Sequence, residues 1–326
     1  MNQFSYVRPA NQQAAIDAIT RDSAARFIAG GTNLLDLMKN GVLAPERLVD
    51  INRLPLKNIA LNNNILHIGA LALNSEVAAH PLVKTHHPLL SQALLAGASQ
   101  QLRNMATTGG NMMQRTRCSY FYDITMPCNK RTPGSGCSAI GGINRMHAIF
   151  GASDQCIAVH PSDMCVALTA LDATVLVAGP KGNRSIPFGE FHRLPGNTPD
   201  KDNNLSKGEL ITGIEIPNSP FTKNIYYLKV RDRASYAFAL VSVAAALDIS
   251  NNTIRGARLA MGGVAHKPWR LHEAEKTLIG KTPTADNFRI AATVATQSAR
   301  TYPHNAFKVP MAQNSIVTAL QKAAAV

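Results

Sequence analysis

The sequence predicts an α+β protein of more than one domain, and three observations support this fold class. Its 326 residues suffice for two domains with separate cores, and 45% hydrophobic and 16% charged residues are ordinary for a globular chain. Strand-like alternation recurs along the chain between helical patterns. A proline-rich link at residues 217–220 precedes a helix-rich last third, which places a domain boundary near residue 220.

The first segment, residues 1–55, is predicted to be a small βαβ unit. A buried strand ends at Gly30-Gly31, a helix covers residues 34–39, and a second strand covers residues 47–51. A strand, a glycine turn and the start of a helix are the parts from which phosphate sites are built.

The second segment, residues 56–220, combines both kinds of element. We expect strands at residues 64–69, 173–177 and 211–216 and helices at residues 80–97 and 164–171. Residues 115–160 show little periodicity, and a structureless stretch of that length inside a compact domain usually has a functional reason. The third segment, residues 221–326, is predicted to be a strand meander with packed helices.

Two turns set paired glycines beside hydroxyl and amide side chains. One covers residues 27–34 and the other covers residues 103–111. Glycine lets the backbone approach closely and adopt positive φ, so we expect N–H groups of both turns to point at one anion. Neither turn is a GxGxxG or GxxxxGK motif, so the residues alone indicate only a possible diphosphate site.

Several ordered motifs resemble those of the FAD-binding subunits of molybdenum hydroxylases, and the resemblance covers nearly the whole chain. They are Ala29–Leu34, Ala106–Asn111, Ser162–Ala173, Gly208–Pro217, Lys229–Arg233 and Arg258–Pro268. The resemblance implies an α+β fold: a two-part FAD-binding domain of the vanillyl-alcohol-oxidase/PCMH type at residues 1–55 and 56–220. A C-terminal α+β domain of the CO dehydrogenase flavoprotein type would follow at residues 221–326.

The resemblance also implies which residues hold FAD. They are Phe27, Ile28, Ala29, Gly30, Gly31, Thr32, Asn33, Leu34, Thr107, Thr108, Gly109, Gly110, Asn111, Asp163, Ile211 and Lys229. The two glycine-containing segments would hold the diphosphate, and Asp163 would hydrogen-bond ribityl or ribose hydroxyls. Ile211 would pack near the flavin. Lys229 would lie by the isoalloxazine, where a cation stabilises negative charge on reduced flavin.

An insertion at about residues 114–158 contains four of the five cysteines. They are Cys118, Cys128, Cys137 and Cys156, spaced C-x9-C-x8-C-x18-C. From spacing alone an iron–sulfur cluster, a zinc site and disulfides all stay open, and the C-x2-C pairs of ferredoxins are absent. The resemblance favours a 4Fe–4S cluster. Most family members have only a short link here, whereas a few, including a periplasmic aldehyde oxidoreductase, have a four-iron insertion.

Basic residues of the insertion would offset the negative charge of such a cluster. They are Arg115, Arg117, Lys130, Arg131 and Arg145. His147 is the reserve ligand if one cysteine does not serve. Outside the insertion, His160 is expected to be structural and Cys165 to be a small buried residue.

The implied function is electron transfer without a catalytic residue in this chain. Substrate would be oxidised at a molybdenum cofactor in a large partner. Electrons would pass through 2Fe–2S clusters of a small partner to FAD here and then to an external acceptor, with the 4Fe–4S cluster as an exit relay. The alternatives are a zinc-stapled assembly module and a stand-alone flavin oxidase.

The formal net charge of +13 bears on the partners of the chain. No recognised nucleic-acid motif is present, so we expect a solvated basic surface or docking with an acidic carrier such as a ferredoxin. No apolar run approaches the roughly 20 residues that span a bilayer. Residues 1–9 do not have the pattern of a signal peptide. The resemblance to a periplasmic family member implies a periplasmic location by co-export with a signal-bearing partner, with a cytoplasmic location as the alternative.

Overall fold

A computed structural model describes residues 1–325, which form three sheets with helices packed against them. The first segment contains β1 (Ser5–Val7), α1 (Gln12–Arg21), β2 (Ala25–Ile28), α2 (Leu34–Lys39) and β3 (Arg47–Asp50). The second contains β4 (Ile59–Asn62), β5 (Ile65–Gly69), α3 (Asn74–Ala79), α4 (Pro81–His86), α5 (Pro88–Ala96), α6 (Gln100–Arg103), α7 (Thr108–Met112), α8 (Ser119–Tyr122), α9 (Ser138–Gly141), α10 (Asp163–Ala170), β6 (Thr174–Gly179), β7 (Gly182–Pro187), α11 (Phe188–Phe191) and β8 (Leu210–Ile216). The third contains β9 (Ile225–Val230), β10 (Val241–Ser250), β11 (Thr253–Gly262), β12 (Trp269–Arg270), α12 (His272–Leu278), α13 (Ala285–Thr296) and α14 (Lys308–Ala324). Within the described residues no helix combines the length and apolar character that a membrane span needs.

The first sheet is parallel, with the strand order β1-β3-β2. Ala15 and Ile16 of α1 and Val49 of β3 share one small core. Asn11 begins α1 because its side chain accepts a hydrogen bond from the Ala14 N–H at 2.9 Å. The prediction of two strands missed β1, since all its residues are exposed and show no alternation.

The second sheet is antiparallel, with the order β4-β5-β8-β6-β7, and it shares its core with α5 and α10. Every residue of α10 is buried, which explains why its sequence is apolar on all sides. The helical character predicted for residues 80–97 is confirmed, with one interruption. The chain forms α4 and α5, divided at His87–Pro88, because proline disfavours helical backbone in the residue before it.

The third sheet has the antiparallel order β12-β11-β10-β9, and both of its faces are buried. Along β10, Val241, Val243 and Leu247 pack in the core with α12, α13 and α14, whereas Ala244 and Ala246 pack in the core of the second sheet. This two-sided burial brings β9 and β10 against α5 and α10. Residues of the third segment therefore reach the start of α10.

Hydrogen bonds rather than long helices or strands order the cysteine insertion, which contains only α8 and α9 among regular elements. The Asn144 side chain is fully buried and donates to three carbonyls of its own loop. It also accepts a hydrogen bond from the His304 N–H at 3.0 Å. Arg145 pairs with Asp232 at 2.7 Å. These contacts tie the insertion to the third segment.

Candidate functional site

The turn between β2 and α2 leaves a row of backbone donors without partners. Phe27 and Ile28 end β2, and Leu34 begins α2. None of the N–H groups of the residues between Ala29 and Leu34 donates a hydrogen bond to any residue within 1–325. Gly31 has a φ of 71°, in the region that favours glycine. Unpaired N–H groups on such a turn suit an anion such as a diphosphate.

The second predicted turn is the short helix α7. Thr107 caps it, because its hydroxyl accepts the Gly110 N–H at 3.2 Å. The N–H groups of Thr108 and Gly109 donate to backbone carbonyls just after β5, at 2.9 and 2.8 Å, and neither glycine of α7 has positive φ. The expectation that this segment also points its N–H groups at an anion is therefore wrong, since protein groups already accept these hydrogen bonds.

The two segments nevertheless pack against each other. A Cβ at Gly30 would overlap the carbonyl of Met105, so the turn closes directly on the backbone before α7. The Ser162 hydroxyl donates to Asn111 Oδ1 at 2.5 Å, and the same side chain caps α10. A continuous path of contacts joins the turn, α7 and the start of α10.

Asp163 and Lys229 form a buried ion pair at the start of α10. Their Oδ2 and Nζ atoms are 2.7 Å apart, and the side chains are 7% and 4% exposed. The Tyr227 hydroxyl donates to Asp163 Oδ1 at 2.8 Å, and burial together with this carboxylate raises the pKa of Tyr227 well above its ordinary value. A carboxylate has about four acceptor positions, so Asp163 keeps capacity for a ligand hydroxyl.

Ile211, the remaining predicted FAD residue, lies buried on β8. The carbonyl of the next residue, Thr212, accepts the Ala70 N–H at 3.0 Å, and the Ala70 carbonyl accepts the Gly109 N–H. Ile211 is therefore connected to α7 through the end of β5.

A cavity of about 430 Å³ opens beside Asp163, and we call it the Asp163 cavity. The third sheet contributes Ser242 and Gly262 to its lining, and the insertion contributes Cys118 and His147. This cavity therefore joins Asp163, one of the predicted FAD residues, to the cysteine insertion.

The four inserted cysteines line a second, smaller cavity, the cysteine cavity. Cys128 and Cys137 face each other across an antiparallel bridge. Cys118 lines both cavities, so its side chain stands between them. All four are free thiols.

The four sulfur atoms are spaced too widely for a ready-made zinc site. Within residues 1–325, no three of these cysteines place their sulfurs within 4.8 Å of one another. Zn–S bonds of about 2.3 Å place sulfurs roughly 3.8 Å apart at the corners of a tetrahedron. The arrangement is therefore not that of a preformed tetrahedral zinc site.

Carboxylates compensate several of the basic residues near the cysteines. Asp202 pairs with Arg115 at 2.6 Å and also with Lys130, whose side chain is 1% exposed. Burial would raise the pKa of Asp202, but Lys130 and Arg115 outweigh this effect and hold the pKa well below its ordinary value. Arg117 pairs with Asp36 at 2.8 Å. Of the five predicted basic residues, all of them described, Lys130 alone lines the cysteine cavity. That all five offset the charge of a cluster stays a prediction.

Burial determines the protonation of the groups around the cysteine cavity. It raises the pKa of Cys118 to about 12 and that of Cys156 to about 11, so a metal has to displace these protons on binding. Burial, followed by the charge of Lys308, lowers the pKa of His147 to about 4. His147 Nε2 lies 3.1 Å from Cys118 Sγ, and its neutral ring has a single N–H.

A group of three further donors was missed from the sequence. The donor atoms of His160, Cys165 and His192 lie within 4.8 Å of one another. Cys165 is fully buried, as expected, and burial lowers the pKa of His192 to about 4. His192 Nε2 lies 2.9 Å from the Met112 carbonyl, 80 residues away in sequence. No local pattern signals a contact between such distant residues, and here it fixes the end of α11 to α7.

Two family models together match nearly the whole chain. The FAD binding domain in molybdopterin dehydrogenase matches residues 2–219. The CO dehydrogenase flavoprotein C-terminal domain matches residues 226–323. The two matches meet near the proline-rich link.

Known proteins are similar to the chain over most of its length. It is 47% identical to the aldehyde oxidoreductase FAD-binding subunit PaoB of Escherichia coli (strain K12), with 100% of this chain and 99% of that protein covered. It is 34% identical to the glyceraldehyde dehydrogenase medium chain of Sulfolobus acidocaldarius, with 90% and 88% covered. Among solved structures, quinoline 2-oxidoreductase from Pseudomonas putida 86 gives a TM-score of 0.77 at 26% identity, with 99% and 98% covered.

Proposed function

This chain belongs to the family of FAD-binding subunits of molybdenum hydroxylases and is the FAD subunit of an aldehyde oxidoreductase of that type, and we propose that it also holds a 4Fe–4S cluster and relays electrons to an external acceptor. One observation carries the proposal. The four inserted cysteines converge on one cavity, and Cys118 borders both that cavity and the one beside Asp163.

The described residues between the β2–α2 turn and Asp163 have the donors and acceptors that FAD requires. The unpaired N–H groups before Leu34 would hold the diphosphate, and the close approach of Gly30 to Met105 keeps the turn in place. The Asp163 carboxylate, which Lys229 and Tyr227 hold in position, would accept a hydrogen bond from a cofactor hydroxyl. When bound, FAD supplies the exchange between one-electron and two-electron chemistry.

The arrangement of the four cysteines supports an iron–sulfur cluster better than it supports a zinc site or disulfides. Four thiols are the usual ligand set of a 4Fe–4S cluster, and their wide spacing disfavours a single zinc ion. Lys130 lies at the same cavity and lowers the pKa of Cys156 against the effect of burial, which favours a thiolate ligand. This combination also argues against a zinc-stapled assembly module.

The assembly that we propose follows from membership of the family. The chain is the medium subunit of a complex with large and small partners. Electrons released at the molybdenum cofactor of the large partner would reach this subunit through 2Fe–2S clusters of the small one. A stand-alone flavin oxidase is less well supported, since the chain is similar over its whole length to a FAD-binding subunit of a larger enzyme.

The net charge of +13 supports docking with an acidic acceptor such as a ferredoxin. If charge guides this encounter, the rate of acceptor reduction by the purified complex falls steeply as ionic strength rises. A rate of acceptor reduction that does not change with ionic strength, while the rate of substrate oxidation also stays constant, would rule this docking out.

For location, we propose the periplasm, reached by co-export with a partner that has a signal. The support is the resemblance of the insertion to that of a periplasmic family member. Cell fractionation with and without the signal-bearing partner tests this idea. A subunit that stays in the cytoplasm in both strains would favour the cytoplasmic alternative.

The proposal is tested on anaerobically purified protein by visible spectroscopy, metal analysis and EPR before and after dithionite. We expect bound FAD, iron and a reduced-cluster EPR signal that is lost in Cys128→Ser. Cys165→Ala is the matched control, because Cys165 lies outside the cysteine cavity and its loss should leave the iron in place. FAD with zinc and no iron would retain the flavin subunit but reject the cluster.

A further inference from the structure

His147 stands beside the cysteine that separates the two cavities. Its Nε2 lies 3.1 Å from Cys118 Sγ, and both residues line the Asp163 cavity. The His147 carbonyl accepts hydrogen bonds from Lys308 Nζ at 3.0 Å and from Asn305 Nδ2 at 3.3 Å. Lys308 is fully buried, and within residues 1–325 its amine is directed at carbonyl oxygens only, so it helps to fix the His147 backbone.

The surroundings of the imidazole favour one tautomer. Nδ1 of His147 is buried and has no hydrogen-bond partner among residues 1–325. A proton at Nδ1 would therefore be a buried donor without an acceptor, which proteins rarely tolerate. A proton at Nε2 instead points at Cys118, whose sulfur accepts a hydrogen bond once it is a thiolate.

His266 offers a contrast beside another of the four cysteines, Cys156. Its Nε2 lies 3.9 Å from Cys156 Sγ, while its Nδ1 lies 3.1 Å from the Arg193 carbonyl. A carbonyl only accepts, so the proton of the neutral ring is at Nδ1 and a lone pair faces Cys156. His266 therefore contacts a cysteine without donating to it.

We propose that His147 donates an N–H···S hydrogen bond to Cys118 and thereby raises the reduction potential of the 4Fe–4S cluster. The inference rests on the proposed function, because it requires the cluster. Hydrogen bonds to the sulfur ligands stabilise the added negative charge of the reduced state. His147 is in this view a positioning and tuning residue, neither a ligand nor a catalytic group.

The test is an EPR-monitored redox titration of the complete purified complex. His147→Phe retains a ring against Tyr120 but removes the N–H, and His147→Gln restores a donor. We expect the iron content to stay at the wild-type level and the cluster potential to shift to more negative values in H147F. H147Q should return it toward wild type, whereas His266→Phe should leave it near wild type.

Three outcomes would overturn the inference. They are an unshifted cluster potential in H147F, an equal shift in H266F, and loss of iron from folded H147F, which would make His147 a ligand. If H147F does not fold, His147→Met provides the same loss of the donor. Wild-type complex whose iron is fully accounted for by the 2Fe–2S clusters of the small partner, with no further reduced-cluster EPR signal, would instead refute the proposed cluster before any variant is compared, so the two failures are distinguishable.

Discussion

The buried pair of Asp163 and Lys229 shows how single residues hold the predicted cofactor site in place. Both side chains are withdrawn from water, so each charge depends on the other and on the Tyr227 hydroxyl. Removing one partner leaves an uncompensated buried charge, whereas removing both does not.

We therefore expect Lys229→Met to lower the free energy of unfolding by about 3–5 kcal/mol. The double variant Asp163→Asn, Lys229→Met should lose less than the sum of the single variants. Urea unfolding of the cofactor-free protein measures both effects. Arg289→Met is the control, since its pair with Asp286 is exposed and should contribute no more than about 1 kcal/mol. Equal losses of unfolding free energy in Lys229→Met and Arg289→Met would contradict this account.

Sequence motifs proposed individual FAD residues, which stay predictions, but they did not indicate the partners that hold those side chains. Asp163 was identified from a local motif, but Tyr227, its hydrogen-bond partner, is 64 positions away. Asp202 is 87 positions from Arg115, and nothing near it in sequence indicates a role at the cysteine insertion. Such pairs depend on how sheets and loops pack, which periodicity does not encode.

At the scale of elements, the β2–α2 turn depends on the absence of a side chain at Gly30. A methyl group there would overlap the Met105 carbonyl, which is backbone and cannot turn aside. We expect Gly30→Ala to cost about 1–3 kcal/mol and to reduce the flavin content of purified protein. Gly189→Ala is the matched control because a Cβ at Gly189 meets no atom within 4 Å. Full flavin content in both variants would refute the proposed role of the turn.

The insertion depends on Asp202 in a comparable way. Its carboxylate compensates Lys130, which is buried at the cysteine cavity. Asp202→Asn leaves that lysine without a counter-charge, so we expect a loss of about 3–5 kcal/mol. The amount of iron that the variant retains after purification should also fall, and metal analysis measures it. The exposed Asp286→Asn should change neither quantity, and a stable, iron-loaded D202N would show that the pair does not anchor the insertion.

Regular elements with buried, alternating residues were predicted from sequence to within one or two residues, as β5 and β8 illustrate. The exposed strand β1 was missed because it has no buried face. The helix α7 was predicted as an open turn, since two glycines and a threonine favour turns locally. Its N–H groups instead find carbonyls after β5, so tertiary contacts decided the outcome.

Across the molecule as described over residues 1–325, burial lowers the pKa of five histidines below the physiological range. Burial is the first cause in each, and it lowers the pKa to about 4 in His87, His147 and His192, to about 3 in His266 and well below the ordinary value in His160. As pH falls below about 6.5, the unfolded chain takes up these protons before the folded one does. These histidines therefore contribute their full stabilisation of the folded state above that pH. The contribution is lost progressively as pH falls from about 6.5 to the pKa of each residue in the folded protein.

His87 allows this behaviour to be measured away from the proposed cofactors. Burial, followed by the charge of His86, lowers its pKa to about 4, and its side chain lies between α4 and α5. At pH 5 the unfolded chain then gains about 2 kcal/mol from protonating this one residue, relative to pH 7. We expect urea unfolding to show a steep loss of stability between pH 6.5 and pH 5, and His87→Phe to reduce that loss by about 2 kcal/mol. An identical pH dependence in the variant would mean that His87 is already accessible to protons in the folded protein.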